Sequence, residues 1–124
     1  MFTHVMVGAN DPARSIAFYD AALGALGITG RNMGDRAFYS SRDGGAFGVG
    51  HPANGESATF ANGGTIGFKA ETPEQVDAFH KAGCANGGAC EGEPGPRSGA
   101  PGNPYGAYLR DPDGNKICAF VSTS

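Results

Sequence analysis

The sequence predicts an α+β fold built from two βαβββ modules, and three observations carry that prediction. The chain opens on a strand and a capped helix, His4-Val5-Met6-Val7 followed by Asn10-Asp11-Pro12-Ala13-Arg14-Ser15-Ile16-Ala17-Phe18-Tyr19-Asp20. It closes on a tight turn, Arg110-Asp111-Pro112-Asp113-Gly114-Asn115-Lys116, which Leu109 and Ile117 bracket as the two sides of a hairpin. Pro112 presets φ, Asp113 can bond its own backbone, and Gly114 or Asn115 can take a positive φ. Between these ends the order strand, helix, three strands runs twice, with a period of about 60 residues carried by pattern more than by identity.

In order, residues 3–8 read as a strand with Phe2, His4 and Met6 on one face and Thr3, Val5 and Val7 on the other, both faces expected to be mostly buried. A helix over 12–23 starts from an Asn10 or Asp11 cap with Pro12 in its first turn. Ile16, Phe18, Tyr19, Ala22 and Leu23 form its apolar stripe, and Gly24 or Gly27 stops it. Short strands follow over 28–32, 36–41 and 46–50, with Gly44-Gly45 as the turn before the last. Polar loops hold His51 and Asn62-Gly63-Gly64, and then the plan repeats. Residues 65–70 are a strand, and Thr72 caps a helix over 73–85 with Pro73 in its first position. Val76, Phe79, His80 and Cys84 lie on one side of that helix, and Gly87-Gly88 ends it. A short strand over 89–93, a Gly/Pro-rich loop over 93–103, and strands over 105–109 and 116–121 complete the chain. Module one covers about residues 1–60 and module two about 61–124, read together as one domain over 1–124. Two such modules, each with one helix on an incomplete curved sheet, must share faces to bury them.

Composition narrows the function. The 124 residues include 22 glycines spread between apolar runs, which fits a turn-rich globular domain better than a disordered one. The net charge of −3, with no basic run, argues against nucleic-acid binding. No apolar run approaches the ~20 residues of a membrane span, and no signal-peptide pattern opens the chain. The three cysteines, Cys84, Cys90 and Cys118, are odd in number and scattered, without zinc-knuckle spacing. They read as reduced thiols, and the expected location is cytoplasmic.

Together the head and tail motifs resemble the vicinal oxygen chelate superfamily, the group of glyoxalase I, extradiol dioxygenases and bleomycin-resistance proteins. The resemblance covers nearly the whole chain. It implies paired βαβββ modules forming a curved mixed sheet around a cavity, and a homodimer with the cavity near its interface. In metal-dependent relatives, four sheet positions converge on a divalent ion, usually as His and Glu. His4 matches the first position. The second falls within Phe47-Gly48-Val49-Gly50, where no ligand-type residue occurs. The third falls on Thr65. The fourth, a Glu in the family, is Cys118, two residues after Lys116. One imidazole, one thiol and one hydroxyl are too few strong ligands for a transition metal, so no metal and no cofactor are expected.

The candidate ligand-binding residues are therefore His4, Thr65, Arg97, Tyr105 and Cys118, with His4 and Cys118 as candidate catalytic groups. Tyr105 and Tyr108 flank Ala107, so alternation sends them to opposite faces, and one hydroxyl can reach a cavity. Arg97 sits on the Gly/Pro-rich loop and suits an anionic or carbonyl group; a solvated loop charge is the plainer reading. His80 reads as a helix-packing or surface residue and His51 as loop. The expected function is binding of a small, partly apolar molecule without metal. The alternative is a lyase or isomerase of the glyoxalase I type using His4 and Cys118, which requires His4 to lower the Cys118 pKa.

Overall fold

The computed structural model describes residues 1–41, 44–98 and 101–123. Eight strands and two helices follow in order: β1 (His4–Gly8), α1 (Pro12–Gly24), β2 (Thr29–Asn32), β3 (Arg36–Ser40), β4 (Ala46–Gly50), β5 (Ile66–Lys69), α2 (Pro73–Ala85), β6 (Ala89–Pro96), β7 (Pro104–Arg110) and β8 (Lys116–Ser122). The two sheets have the orders β1-β4-β3-β2 and β5-β8-β7-β6. In each, the first strand lies parallel to the last and the remaining pairs are antiparallel. The βαβββ repeat is thus real in three dimensions.

Local chemistry sets the helix ends. The Asp11 side chain accepts from the Arg14 backbone N–H at 3.3 Å, and Pro12 occupies the first turn. Thr72 Oγ1 accepts from the Gln75 N–H at 3.1 Å, while Gln75 Oε1 accepts from the Glu71 N–H at 2.7 Å. This exchange is close to a capping box. Gly87, at a φ of +98°, and Gly88, whose N–H bonds the Gly83 carbonyl, turn the chain out of α2 into β6.

One apolar core runs through both modules. The α1 stripe buries Phe18, Tyr19 and Leu23 completely; Tyr19 packs on Tyr39 and Phe47 of the first sheet, while Phe18 lies against Gly83 and Gly88 of the second module. Val76 and Phe79 of α2 join Leu109 and Ile117 of the second. Phe47 meets Phe68 edge to face at 5.2 Å, which links the two sheets directly. The closing turn is locked to α1 by buried polar bonds, among them Tyr19 Oη donating to Asp111 Oδ2 at 2.6 Å.

Three sequence expectations need correction. The β1 face carrying His4 and Met6 is exposed, because the helices cover only the Val5 and Val7 side. The sixth strand continues through Pro96, which pairs with Tyr105, and so absorbs residues 93–96 of the expected loop over 93–103; residues 99 and 100 of that loop lie outside the described residues. Cys84 is exposed, and Gly83 takes the buried place on the α2 face.

Candidate functional site

A cavity of about 270 Å³ opens at the seam where the start of β1 meets β5. Phe2, Val5, Leu23, Phe47, Ile66 and Phe68 supply apolar wall, and His4 is the one imidazole at its edge. The His4 ring Nδ1 lies 2.9 Å from Thr3 Oγ1. Tyr39 also contributes to the lining, but its hydroxyl is already committed to Asp20 at 2.8 Å. Burial and that bond raise the Tyr39 pKa well above its ordinary value, so the phenol stays neutral. Among the described lining residues there is no carboxylate, lysine, arginine or cysteine.

The other candidates are distributed elsewhere. Thr65 precedes β5 and borders a separate hollow with Met6, Asn115 and Lys116. The residue that faces Cys118 across the parallel pair is Gly67, where a Cβ would sit 3.3 Å from the Cys118 sulfur. Thr65, just before β5, lies two residues from the position that faces Cys118. Cys118 lies mid-strand and 5% exposed. Burial pushes its thiol up to about 11, outweighing the downward pull of Lys116 and Arg97. A thiol in this state is mostly protonated at neutral pH and is a poor nucleophile.

Tyr105 turns toward the helices. Its hydroxyl donates to Asp77 Oδ1 of α2 at 2.6 Å, tying helix to sheet. Tyr108 is the tyrosine on the Cys118 face, paired across from Cys118. Arg97 joins it there: the guanidinium lies 5.8 Å from the Tyr108 ring centre and donates to the Glu93 and Gly95 carbonyls at 2.9 and 3.0 Å. Lys116 Nζ lies 5.0 Å from the same ring, a contact the sequence reading missed. The i, i+2 spacing of Lys116 and Cys118 on one strand face would have revealed it. The structure thus places His4 at the seam cavity, groups Arg97, Tyr108, Lys116 and Cys118 on the open face of the second sheet, sets Thr65 at a hollow that Lys116 also borders, and turns Tyr105 to the helix side.

The four sheet positions do not fit a divalent ion. Within Phe47–Gly50, a Cβ on Gly48 would overlap the Met6 sulfur and one on Gly50 the Arg36 Cβ, so packing closes both glycines. His4 and Thr65 border different hollows, and Cys118 is buried beside Gly67. Among the described residues no three ligand-type side chains converge there.

The comparisons agree with this architecture. A model of the Glyoxalase/Bleomycin resistance protein/Dioxygenase superfamily matches residues 1–119. A glyoxalase/bleomycin resistance protein from Albidiferax ferrireducens T118 is 57% identical, with a TM-score of 0.87 over 97% of each chain. A glyoxalase-related enzyme from Fulvimarina pelagi shares 17% identity and a TM-score of 0.75, over 97% of this chain and 86% of that one. A lactoylglutathione lyase from Agrobacterium tumefaciens shares 20% identity and a TM-score of 0.65, over 97% and 92%. At these low identities the last two speak for the fold alone. No curated protein matches the chain. With the repeated modules, the helix and sheet order and the family match over 1–119 all in agreement, the chain belongs to the glyoxalase/bleomycin resistance protein/dioxygenase superfamily.

Proposed function

We propose that the chain binds a small, partly apolar molecule in the seam cavity, oriented by His4, and uses no metal ion at the sheet positions to do so. The single observation behind this reading is the lining: aromatic and aliphatic walls with one imidazole at the rim. A volume of about 270 Å³ is slightly below the roughly 300–1,000 Å³ of drug-sized sites, so the ligand is fragment-sized. Among the described lining residues the polar side chains include His4, Ser40 and Ser41, so a small molecule with a few hydrogen-bonding groups suits the cavity best. The lyase alternative is weaker on two grounds: Cys118 does not border this cavity, and its thiol is held in the protonated form.

Calorimetric titration with small aromatic ketones and alcohols tests this reading. His4→Ala should weaken binding about 5–10-fold, the worth of one hydrogen bond. Cys118→Ala should leave it unchanged. A loss confined to Cys118→Ala, or turnover that this variant abolishes, would favour the thiol lyase instead.

We further propose that two copies associate through the face the helices leave uncovered. Phe2 is 73% and Met6 45% exposed on the β1 side, and each sheet ends on an edge strand, β2 or β6. Light scattering should return twice the 12.5 kDa chain mass, and a monomer at micromolar concentration would refute it.

A further inference from the structure

We propose that the chain holds one zinc-class divalent ion away from the seam cavity, where α2 meets β6, through His80, Cys90 and Glu93 with Cys84 as the fourth ligand. One donor atom from each of His80, Cys90 and Glu93 lies within 4.8 Å of the other two. Cys90 Sγ is 3.6 Å from Glu93 Oε1, and Cys84 Sγ is 3.9 Å from His80 Nε2. Tetrahedral zinc, with bonds of about 2.3 Å to sulfur and about 2.1 Å to nitrogen or oxygen, sets neighbouring donors about 3.6 Å apart. Two thiolates, an imidazole and a carboxylate form a borderline-soft set that favours zinc over magnesium or calcium.

Two local features bring these groups together. His80 and Cys84 are four residues apart on α2 and share a helix face. Cys90 and Glu93 are three apart on β6, and a regular strand would point them to opposite faces. The pairing of β6 with β7 slips between Cys90 and Gly92 and again between Gly92 and Gly95. Those irregularities break the alternation and turn both side chains to the α2 side, as bulges do where a strand must re-aim a residue. Among the described residues the one ion pair is Arg110 with Glu91, so the Glu93 carboxylate sits beside the Cys90 thiol and the His80 imidazole with no cation at ion-pair distance, and Cys84 reaches the group through His80. Cys84, Cys90 and Glu93 are exposed, which leaves an ion a path to the site, while His80 is buried and fixed. Bound there, the ion would clamp α2 to the edge strand of the second sheet, with the two thiol protons released to solvent.

The full chain, purified without immobilised metal and reduced with a non-chelating phosphine, should be titrated with Co(II) and then Zn(II). One equivalent of Co(II) should give a thiolate-to-metal charge-transfer band and the intense visible bands of a tetrahedral site, and zinc should displace it. Cys90→Ser should weaken zinc binding by more than about 100-fold, beyond the range for outer-shell changes. Glu93→Gln should weaken it at least about tenfold. Cys84→Ser should lower the charge-transfer intensity by about half, since that intensity counts thiolates. His4→Ala and Cys118→Ala should alter none of this. Circular dichroism of Cys90→Ser and Glu93→Gln, both at exposed positions, separates loss of a ligand from loss of the fold. The proposal is overturned by the absence of a charge-transfer band, by a pale octahedral spectrum, by binding that survives Cys90→Ser, by a band unchanged in Cys84→Ser, or by binding lost in His4→Ala.

Discussion

Asp111→Ala should lower the unfolding free energy by about 3–4 kcal/mol, among the largest costs of any single substitution in this chain. The carboxylate is 4% exposed and serves four donors. Oδ1 accepts from the Asp113 and Asn115 backbone N–H groups at 2.9 Å each. Oδ2 accepts from Tyr19 Oη at 2.6 Å and Asn115 Nδ2 at 2.8 Å. Alanine would strand a buried phenol and a buried amide together, and the closing turn would lose its tie to α1. Tyr19→Phe removes one donor and keeps the carboxylate bonded by the others, so it should cost only about 1–2 kcal/mol. Burial first, and the Asp111 carboxylate second, raise the Tyr19 pKa well above its ordinary value. A raised phenol pKa contributes stability that is complete below the unfolded value near 10 and is lost as pH rises beyond it. Urea unfolding of the three proteins at neutral pH, with equal slopes, measures both costs. An Asp111→Ala unfolding free energy within about 1 kcal/mol of wild type would show that the turn does not depend on this carboxylate.

Phe47→Ala should cost about 3–4 kcal/mol and should also widen the ligand cavity. Phe47 is 4% exposed, with ring centres of Tyr19 at 4.8 Å and Phe68 at 5.2 Å. It is where the α1 core of module one touches the first strand of module two, so its removal strips packing from both. Because the same ring walls the seam cavity, ligands one ring substituent larger should gain affinity in the variant relative to wild type. Phe60→Ala is the control: at 49% exposure it should change stability by less than about 0.5 kcal/mol. Thermal melts and a ligand size series check the two halves separately. A cost under about 1 kcal/mol, or an unchanged size preference, would contradict the placement of Phe47.

Most of the fold was legible because its signals are local. Asp11-Pro12 and Thr72-Pro73 are cap-and-proline pairs whose chemistry acts within one turn, and both helices start where those pairs say. The Asp111–Asn115 turn is equally local, although its pairing with Tyr19, 92 residues away, is not. The candidate site was less legible because it depends on register. The pairing of β5 with β8 sets Gly67 opposite Cys118, with Thr65 two residues away. Alternation sent Tyr105 and Tyr108 to opposite faces, but the partner that decides which is which, Asp77, lies on a helix 28 residues earlier. Cys84 and Cys90 look scattered along the chain. Only the slipped pairing of β6 brings Cys90 and Glu93 together beside His80, and no sequence pattern marks a slip of that kind.

The central claim is that a small apolar molecule occupies the seam between β1 and β5. Backbone amide chemical-shift mapping with a bound aromatic ketone tests it most directly. The expected result is a set of shifts confined to Phe2, His4, Val5, Phe47, Ile66 and Phe68, with Tyr108, Lys116 and Cys118 unmoved. Shifts centred on Tyr108, Lys116 and Cys118, with the His4 region silent, would contradict it and move the binding site to the open face of the second sheet.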